Sequence, residues 1–196
     1  MSHIVLASES SIRRTLLAQA GITFSALSSG VDEEAVIRAA GALDPKRTAI
    51  RLAETKARTV SEMLPDAYVI GADQTLDLDG AIGTKPADLD EARARIADLS
   101  GRTHLLHSAF AIFKSGERLT RRSQTAKMTM RSLSDSEIDW YLRAADSSII
   151  GSVGAYHLEE LGIRLFEKIS GDYFTVLGLP MIPLLAALRR IGVLAP

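Results

Sequence analysis

The sequence contains no cysteine, which excludes disulfide scaffolds, thiol catalysis and zinc sites built on cysteine. It also has no surplus of one charge, because 23 Lys and Arg face 24 Asp and Glu. Proteins that coat nucleic acid need many surplus cations, so no nucleic-acid polymer is expected as partner, whereas a small phosphorylated ligand needs only a few. The apolar segment 181–188 is too short to span a bilayer. Met1–Ile4 does not begin a signal peptide, so we expect a cytoplasmic protein without a membrane partner.

Several catalytic motifs are also missing. The chain has no G-x-x-x-x-G-K-[ST], no G-x-G-x-x-G and no G-x-S-x-G, so a P-loop, a dinucleotide fingerprint and a nucleophile elbow are not present. Of its four histidines, only His104 and His107 lie near each other in sequence. In a strand this spacing places them on opposite faces. We therefore interpret them as structural or surface residues and do not expect a zinc site.

Short apolar runs alternate with helical patterns, which predicts an α/β sheet in a single domain over residues 1–196. Strands are predicted at 4–7 and 67–72, the second ending at Asp73. Asp44-Pro45 predicts the start of a helix that runs to Met63. The other predicted elements are helices at 12–20, 88–99, 134–144 and 180–191, strands at 103–113, 123–131 and 161–169, and turns at Asp77-Leu78-Asp79-Gly80 and Ser115-Gly116.

The first candidate site follows the first strand. Hydroxyls cluster at Ser8 to Ser11, and Arg13 and Arg14 lie in the first turns of the next helix. Free N–H groups at a helix start and arginine side chains both suit phosphate. A serine cap with solvated arginines is an equally good explanation of these residues alone.

The second candidate site is Asp73, at the predicted end of an apolar strand. Ligands of open α/β sheets bind beyond strand ends, where an aspartate can hold a cation or activate water. A turn aspartate that bonds its own backbone is the commoner explanation. Lys56, Lys85 and the acidic cluster 32–34 could join Asp73, although each alone is more often a solvated lysine or a first-turn acid.

Taken in order, the motifs of this chain resemble those of the Maf family of nucleoside triphosphate pyrophosphatases over nearly its whole length. The motifs are Leu6-Ala7-Ser8-x-Ser10 with Arg13-Arg14, Asp32-Glu33, Ala53-x-x-Lys56-Ala57, Gly71-Ala72-Asp73, Lys85-Pro86, Leu99-Ser100-Gly101-Arg102-Thr103-His104, Gly154-Ala155-Tyr156, and Gly171-Asp172-Tyr173 with Gly178-Leu179-Pro180.

This resemblance implies an elongated, curved mixed sheet flanked by helices, with two lobes around a central cleft, as in ITPase-like proteins. It also implies a homodimer that cleaves noncanonical or modified nucleoside triphosphates to the monophosphate and pyrophosphate with Mg²⁺ or Mn²⁺. Some members of the family are linked to restraining cell division.

The resemblance also implies roles for individual residues. Asp73 would be the general base and a metal ligand, and Glu33 the second metal ligand. The triphosphate would be bound by Ser8, Arg13, Arg14, Lys56 and Lys85.

Three further positions resemble specificity markers of the family. Ile12 matches neither the Arg of members that act on dTTP and UTP nor the Trp of the 7-methyl-GTP type. Gln74 and Glu159 resemble the 7-methyl-GTP type, and a carboxylate can accept hydrogen bonds from a guanine edge. These positions favour a purine or modified guanine. Before Gly154 the chain has Ser152-Val153 where the family usually has Lys-Ala.

Two alternatives to the pyrophosphatase remain. A non-catalytic, nucleotide-binding regulator of cell division would bind nucleotide without turnover, but two carboxylates beside a triphosphate repel it unless a cation intervenes. A phosphatase would release orthophosphate first.

Overall fold

The computed structural model describes residues 3–41 and 44–195, so Met1 and Ser2, considered above for targeting, lie outside the described residues. The helices are α1 Ser11–Gln19, α2 Glu33–Ala40, α3 Pro45–Met63, α4 Leu89–Leu99, α5 Asp135–Ala144, α6 Tyr173–Val176 and α7 Met181–Arg190, with 3₁₀ turns at Ser147–Gly151 and Leu161–Leu165. The strands are β1 Ile4–Ala7, β2 Ser25–Ala26, β3 Tyr68–Leu78, β4 Ala81–Gly83, β5 Thr103–Lys114, β6 Glu117–Met130 and β7 Phe166–Ser170.

Across the described ranges, the strands form one seven-stranded sheet in the order β2-β1-β3-β5-β6-β7, with β4 paired to β3. Strand β1 runs parallel to β2 and β3, and the remaining pairs are antiparallel. The predicted mixed α/β sheet flanked by helices is confirmed. No helix in the part of the chain that the structure describes is long and apolar enough to cross a membrane.

Strand β3 is longer than the sequence predicts. Its pairing with β1 ends at Ala7 and Gly71, but its antiparallel pairing with β5 continues to Asp77. The predicted strand end at Asp73 is therefore wrong. Asp73 lies in the middle of β3, just beyond the carboxyl end of β1, where parallel pairing stops and a cleft can open.

Local capping chemistry places several other elements as predicted. The Asp44 carboxylate accepts a hydrogen bond from the backbone N–H of Arg47, and α3 runs to Met63. Ser134 and Glu137 form the complete capping box of α5. The strand predicted at 161–169 is wrong in its first half. There the chain forms a 3₁₀ turn, with the Gly162 N–H donating to the carbonyl of His157.

Side chains of β3 alternate between the two faces of the sheet, as period-two geometry requires. Val69 packs with α3, whereas Ile70 lies in the larger core on the other face. Helix α3 lies directly on Gly71, where a Cβ would overlap the carbonyl oxygen of Ala53. The alternation directs Asp73 toward α3 and Gln74 toward the opposite face.

Candidate active site

One large cleft, of about 1150 Å³, opens at the carboxyl end of β1. A cavity of this size accommodates a nucleotide-sized ligand. The cleft-lining residues include these sequence-predicted positions: Ser8, Ile12, Arg13, Glu33, Lys56, Asp73, Gln74, Lys85 and Glu159. The structure thus brings together residues that are more than 150 positions apart in the chain.

Arg14 is the predicted site residue that the structure places elsewhere. It is not among the cleft-lining residues, and its Nη2 donates to the backbone carbonyl of Glu9 on the exposed side of α1. Its assignment to phosphate binding remains a prediction.

Lys56 lies between the two predicted acidic residues. Its Nζ is 2.6 Å from Oδ1 of Asp73 and 2.7 Å from Oε1 of Glu33. The Lys56 and Asp73 side chains are 10% and 8% exposed, whereas Glu33 is 45% exposed at the cleft surface. The Asp32 side chain caps α2 by accepting from the N–H of Ala35, which places Glu33 in the first turn, facing the cleft.

The pKa values of the two carboxylates are shifted in opposite directions. Burial raises the pKa of Asp73 above its usual value; Lys56 and Arg13 oppose this, and the Glu33 carboxylate adds to it. Burial also raises the pKa of Glu33, but Lys56, Lys85 and Arg13 outweigh burial and hold that pKa below its usual value. The site therefore contains one ionised acid and one carboxylate with enhanced basicity, a pairing typical of functional sites.

Arg13 connects three parts of the cleft. Its Nη1 donates to the carbonyl of Ala72 at 2.9 Å and to Oγ of Ser8 at 3.2 Å, and its Nε donates to the carbonyl of Gly178 at 2.9 Å. Burial lowers the pKa of Arg13, against the influence of Asp73 and Glu33, but a guanidinium stays charged in proteins.

The structure shows the serine cap of the loop, while phosphate binding there remains a prediction. Ser10 is the cap of α1 and accepts from the N–H of Arg13, as the simpler explanation requires. The Arg13 side chain, however, is half-buried and is held in the cleft by the carbonyls of Ala72 and Gly178.

Gln74 faces away from Asp73 and holds the end of α6. Its Nε2 lies 2.9 Å from Oγ of Ser108, 3.1 Å from the carbonyl of Thr175 and 2.9 Å from the carbonyl of Val176. These carbonyls belong to the last turn of α6, and that of Thr175 also accepts from the N–H of Gly178 and from the Ser108 hydroxyl. Gln74 thus positions the loop after α6, whose Gly178 contacts Arg13, and its predicted role in specificity remains a prediction.

The sequence interpretation missed Tyr156, which lines the cleft. Its hydroxyl lies 2.7 Å from Nε2 of His104, and burial, with a smaller effect of Arg95, lowers the pKa of His104 to about 4. A Cβ at Gly154 would overlap the Tyr156 ring, so Gly154 packs flat against it. The signal was available, since two motifs of the resemblance, Leu99–His104 and Gly154–Tyr156, meet at this contact.

The remaining histidine of the predicted pair is structural. His107 lies 3.1 Å from Asp77 and 2.9 Å from Oγ1 of Thr125 across the neighbouring strands. Within residues 3–41 and 44–195, no group of three or more His, Cys, Asp or Glu side chains is placed to hold a metal ion.

The donor set fits a cation that arrives with a polyphosphate. Glu33 and Asp73 supply two carboxylates on opposite sides of one position, now spanned by the Lys56 ammonium. Mg²⁺ is commonly bound by one or two carboxylates, with water and substrate phosphates completing its shell. A closed all-protein metal cage does not match these residues.

Comparison with known proteins gives a family match and several similar sequences. The family model described as Maf-like protein matches residues 3–191. The nucleoside triphosphate pyrophosphatase of Nitrobacter hamburgensis is 48% identical over 98% of this chain and 95% of its own length. The 7-methyl-GTP pyrophosphatase of Rhizobium meliloti is 47% identical over 96% of each chain. Among solved structures, a HAM1 protein from Coxiella burnetii matches with a TM-score of 0.46 and 17% identity, covering 66% of this chain and 73% of that one.

Proposed function

The chain belongs to the Maf-like protein family, and from this premise we propose that it hydrolyses nucleoside triphosphates to the nucleoside monophosphate and pyrophosphate. The observation that carries the proposal is the cluster of Arg13, Lys56 and Lys85 beside Asp73 and Glu33 in one cleft. Relatives at 47–48% identity carry the corresponding names.

In the proposed reaction, water attacks the α-phosphorus and the bond from that phosphorus to the bridging oxygen breaks. Pyrophosphate leaves with the bonding electron pair. Asp73 orients the attacking water and accepts its proton. The raised pKa of Asp73 suits this role, because a stronger base removes the proton more readily near neutral pH.

The cations of the cleft stabilise the charge that develops on the leaving group. Arg13 is fixed by Ser8 and by the carbonyls of Ala72 and Gly178, so its remaining Nη2 group is already positioned to donate to a phosphate oxygen. Lys85 lies on the exposed loop after β4 and can approach the outer phosphates. Preoriented charge of this kind is the main source of catalysis in phosphoryl transfer.

We propose Mg²⁺ or Mn²⁺ as the cofactor. Glu33 and Asp73 would hold it, and it would supply further neutralisation of the phosphate charges. Lys56, which contacts both carboxylates, keeps them close together and limits their mutual repulsion before substrate binds.

The finer assignments rest on the resemblance and on the named relatives. We propose a modified guanine nucleotide as substrate, in line with the 7-methyl-GTP pyrophosphatase relatives. We also propose a cytoplasmic homodimer that clears such nucleotides, with neither a nucleic-acid polymer nor a membrane as partner.

The decisive experiment measures pyrophosphate release from GTP, 7-methyl-GTP, dTTP and UTP with Mg²⁺ or Mn²⁺. We expect Asp73→Asn to lower the rate by about 10²–10⁴-fold, the usual contribution of a general base. Asp77→Asn is the matched control, since Asp77 lies on the same strand and face but outside the cleft lining.

Three results would contradict the proposal. If no nucleotide yields pyrophosphate but one binds, the regulator is favoured. If orthophosphate is released first, the protein is a phosphatase. If Asp73→Asn is as active as the unmodified chain, Asp73 is not the base.

A further inference from the structure

We propose that Arg95 is a positioning residue for the phosphate end of the cleft, a role that rests on the proposed function. Its guanidinium holds the loop after β4, residues 84–88, in the place from which Lys85 faces the cleft. We call this segment the Lys85 loop. Arg95 is not among the residues that line the cleft, so it acts through Lys85 and not by touching the substrate.

The Lys85 loop is largely exposed to solvent. Of its five residues only Pro86 is buried. An exposed lysine on a loop without further support can occupy many positions, and the freedom that is lost on binding lowers affinity for the ligand. A contact from outside the loop is therefore needed if Lys85 is to approach the phosphates from one fixed position.

Helix α4 supplies such contacts on either side of Lys85. On one side, Nη2 of Arg95 donates to the backbone carbonyl of Thr84 at 3.3 Å. On the other side, the carboxylate of Glu91 accepts from the N–H of Ala87 at 2.9 Å. Lys85 thus lies between two backbone points that are fixed to the same helix.

The end of β4 leaves room for the Arg95 side chain. A Cβ on Gly83 would lie 2.8 Å from Nη1 of Arg95 and 3.0 Å from Cδ2 of Leu76. With any larger residue at this position the guanidinium would have to shift away from the strand. Arg95 is half-buried, so packing against Gly83 holds its side chain in addition to the hydrogen bond to the Lys85 loop.

The charge of Lys85 acts on the acidic side of the cleft. Burial raises the pKa of Glu33, but Lys56 and Lys85 are among the cations that hold it below its usual value. Lys85 therefore faces the position at which the phosphates would meet the carboxylates. Displacement of the loop would remove this charge from the site even though the lysine is still present in the chain.

Binding of inorganic pyrophosphate tests this role without turnover. Calorimetry of the full chain with Mg²⁺ gives the dissociation constant of pyrophosphate for each variant. Lys85→Met should weaken pyrophosphate about 10- to 100-fold, the range for loss of one hydrogen bond to a charged group. Arg95→Met should weaken it about 5- to 30-fold, because about one residue of backbone must then be ordered on binding.

A double-mutant cycle distinguishes a role through Lys85 from a separate contribution. If Arg95 acts by placing Lys85, Arg95→Met should have almost no effect in a chain that already carries Lys85→Met. Arg95→Lys keeps a donor for the Thr84 carbonyl and should recover part of the affinity.

Arg93→Met is the matched control. Arg93 lies on the same helix, but its guanidinium donates to Asp135 and Asp139 of α5. This variant should bind pyrophosphate as the unmodified chain does. Hydrogen exchange gives a second measurement: the amides of the Lys85 loop should exchange faster in Arg95→Met than in Arg93→Met or the unmodified chain.

The positioning role of Arg95 is overturned if the unmodified chain does not bind pyrophosphate, or if Arg95→Met changes neither its affinity nor the exchange of the loop. It is also overturned if Arg95→Met weakens pyrophosphate equally with and without Lys85. That result would assign the effect to another wall of the cleft, such as Tyr156 with His104, whose pKa is lowered by burial and by the Arg95 charge.

Failure of the proposed function has a different signature. Pyrophosphate would then bind with the expected dependence on Arg95 and Lys85, but no nucleoside triphosphate would yield pyrophosphate when Mg²⁺ or Mn²⁺ is supplied.

Discussion

The ammonium of Lys56 lies 2.6 Å from the carboxylate of Asp73 at the floor of the cleft, and both side chains are almost fully buried. Removing the Lys56 charge leaves the Asp73 carboxylate without its hydrogen-bonded cation in a poorly solvated position, whereas Lys56 without Asp73 keeps Glu33 as a partner. The stability of the packing between α3 and β3 therefore depends on the charges of Lys56 and Asp73.

Replacing Lys56 by methionine should destabilise the protein. At pH 8 we expect the free energy of unfolding to fall by about 3 kcal/mol, because a buried carboxylate loses its partner. The loss should be smaller at pH 5 than at pH 8, because burial raises the pKa of Asp73 and protonation removes the unpaired charge. Urea unfolding measures both values. Lys46→Met, at an exposed position of the same helix, is the control; equal effects of the two variants would contradict the prediction.

On acidification, activity should be lost at a higher pH than an ordinary aspartate would set. The pKa of Asp73 is raised, so its proton is retained to a higher pH than in an ordinary aspartic acid. The acid limb of the kcat/KM profile should therefore lie above the usual value of about 3.9. Glu33→Gln removes a like charge and should move the limb to lower pH, besides lowering the rate. Glu34→Gln is the control and should leave the acid limb in place. If Glu33→Gln also leaves it in place, the Glu33 charge does not raise the pKa of Asp73.

Gln74→Leu should loosen the end of α6. The Val176 carbonyl loses the amide that holds it, which costs about 1–3 kcal/mol of stability for a buried unsatisfied acceptor. Hydrogen exchange of the amides of 173–178 should accelerate, and pyrophosphate should bind less tightly because Gly178 positions Arg13. Gln124→Leu, which removes an acceptor of the Thr175 hydroxyl but no contact to a carbonyl, is the comparison. Unchanged exchange in Gln74→Leu would exclude the proposed positioning role.

His104 should make the fold sensitive to acid. Its pKa is about 4 in the folded chain and about 6.5 when unfolded, so the native state resists protonation. The stability that this residue contributes is complete above pH 6.5 and declines as the pH falls toward 4, by about 3 kcal/mol in total. His104→Gln should lack this decline, whereas His3→Gln, at an exposed position, should retain it. Urea unfolding at pH 7, 5.5 and 4 decides, and identical profiles for the two variants would contradict the prediction.

Gly71→Ala should displace α3. The added methyl group would overlap the backbone carbonyl of Ala53, and the resulting strain should cost about 1–3 kcal/mol. Lys56 would move with the helix, so activity should fall together with thermal stability. Gly151→Ala, where the new methyl group meets open space, should be nearly neutral. A fully active and stable Gly71→Ala would show that the helix tolerates the shift.

Helix starts and tight turns could be predicted from the sequence, because they depend on residues only a few positions apart. Asp44 and Ser134 cap helices through atoms three residues away, and the turn ending at Gly80 is set by local backbone preference. The length of β3 depends on β5, some 30 residues further along the chain, and the contact of Gln74 with Val176 spans 102 positions. Such pairings have no local signal, so the sequence alone could not reveal them.

The residues of the site could be named from the sequence, but their arrangement could not. Lys56, Glu33 and Asp73 could be named from motifs, but the position of Lys56 between both carboxylates follows from how α3 packs on Gly71. Arg13 and Arg14 are indistinguishable as adjacent arginines in the sequence. Only the direction of each side chain around α1 separates the cleft residue from the exposed one.

The alternation along β3 makes the site intolerant of insertion or deletion. A slip of one residue would reverse every side chain of the strand. A slip that brings Gln74 to the place of Asp73 would put its amide beside Lys56 and would carry the Asp73 carboxylate to the place of Ala72, in the apolar core of the other face. Pairing with β1 on one edge and with nine residues of β5 on the other opposes that slip. Because β3 is paired on both edges, an insertion or deletion within it would disrupt the sheet as well as the site.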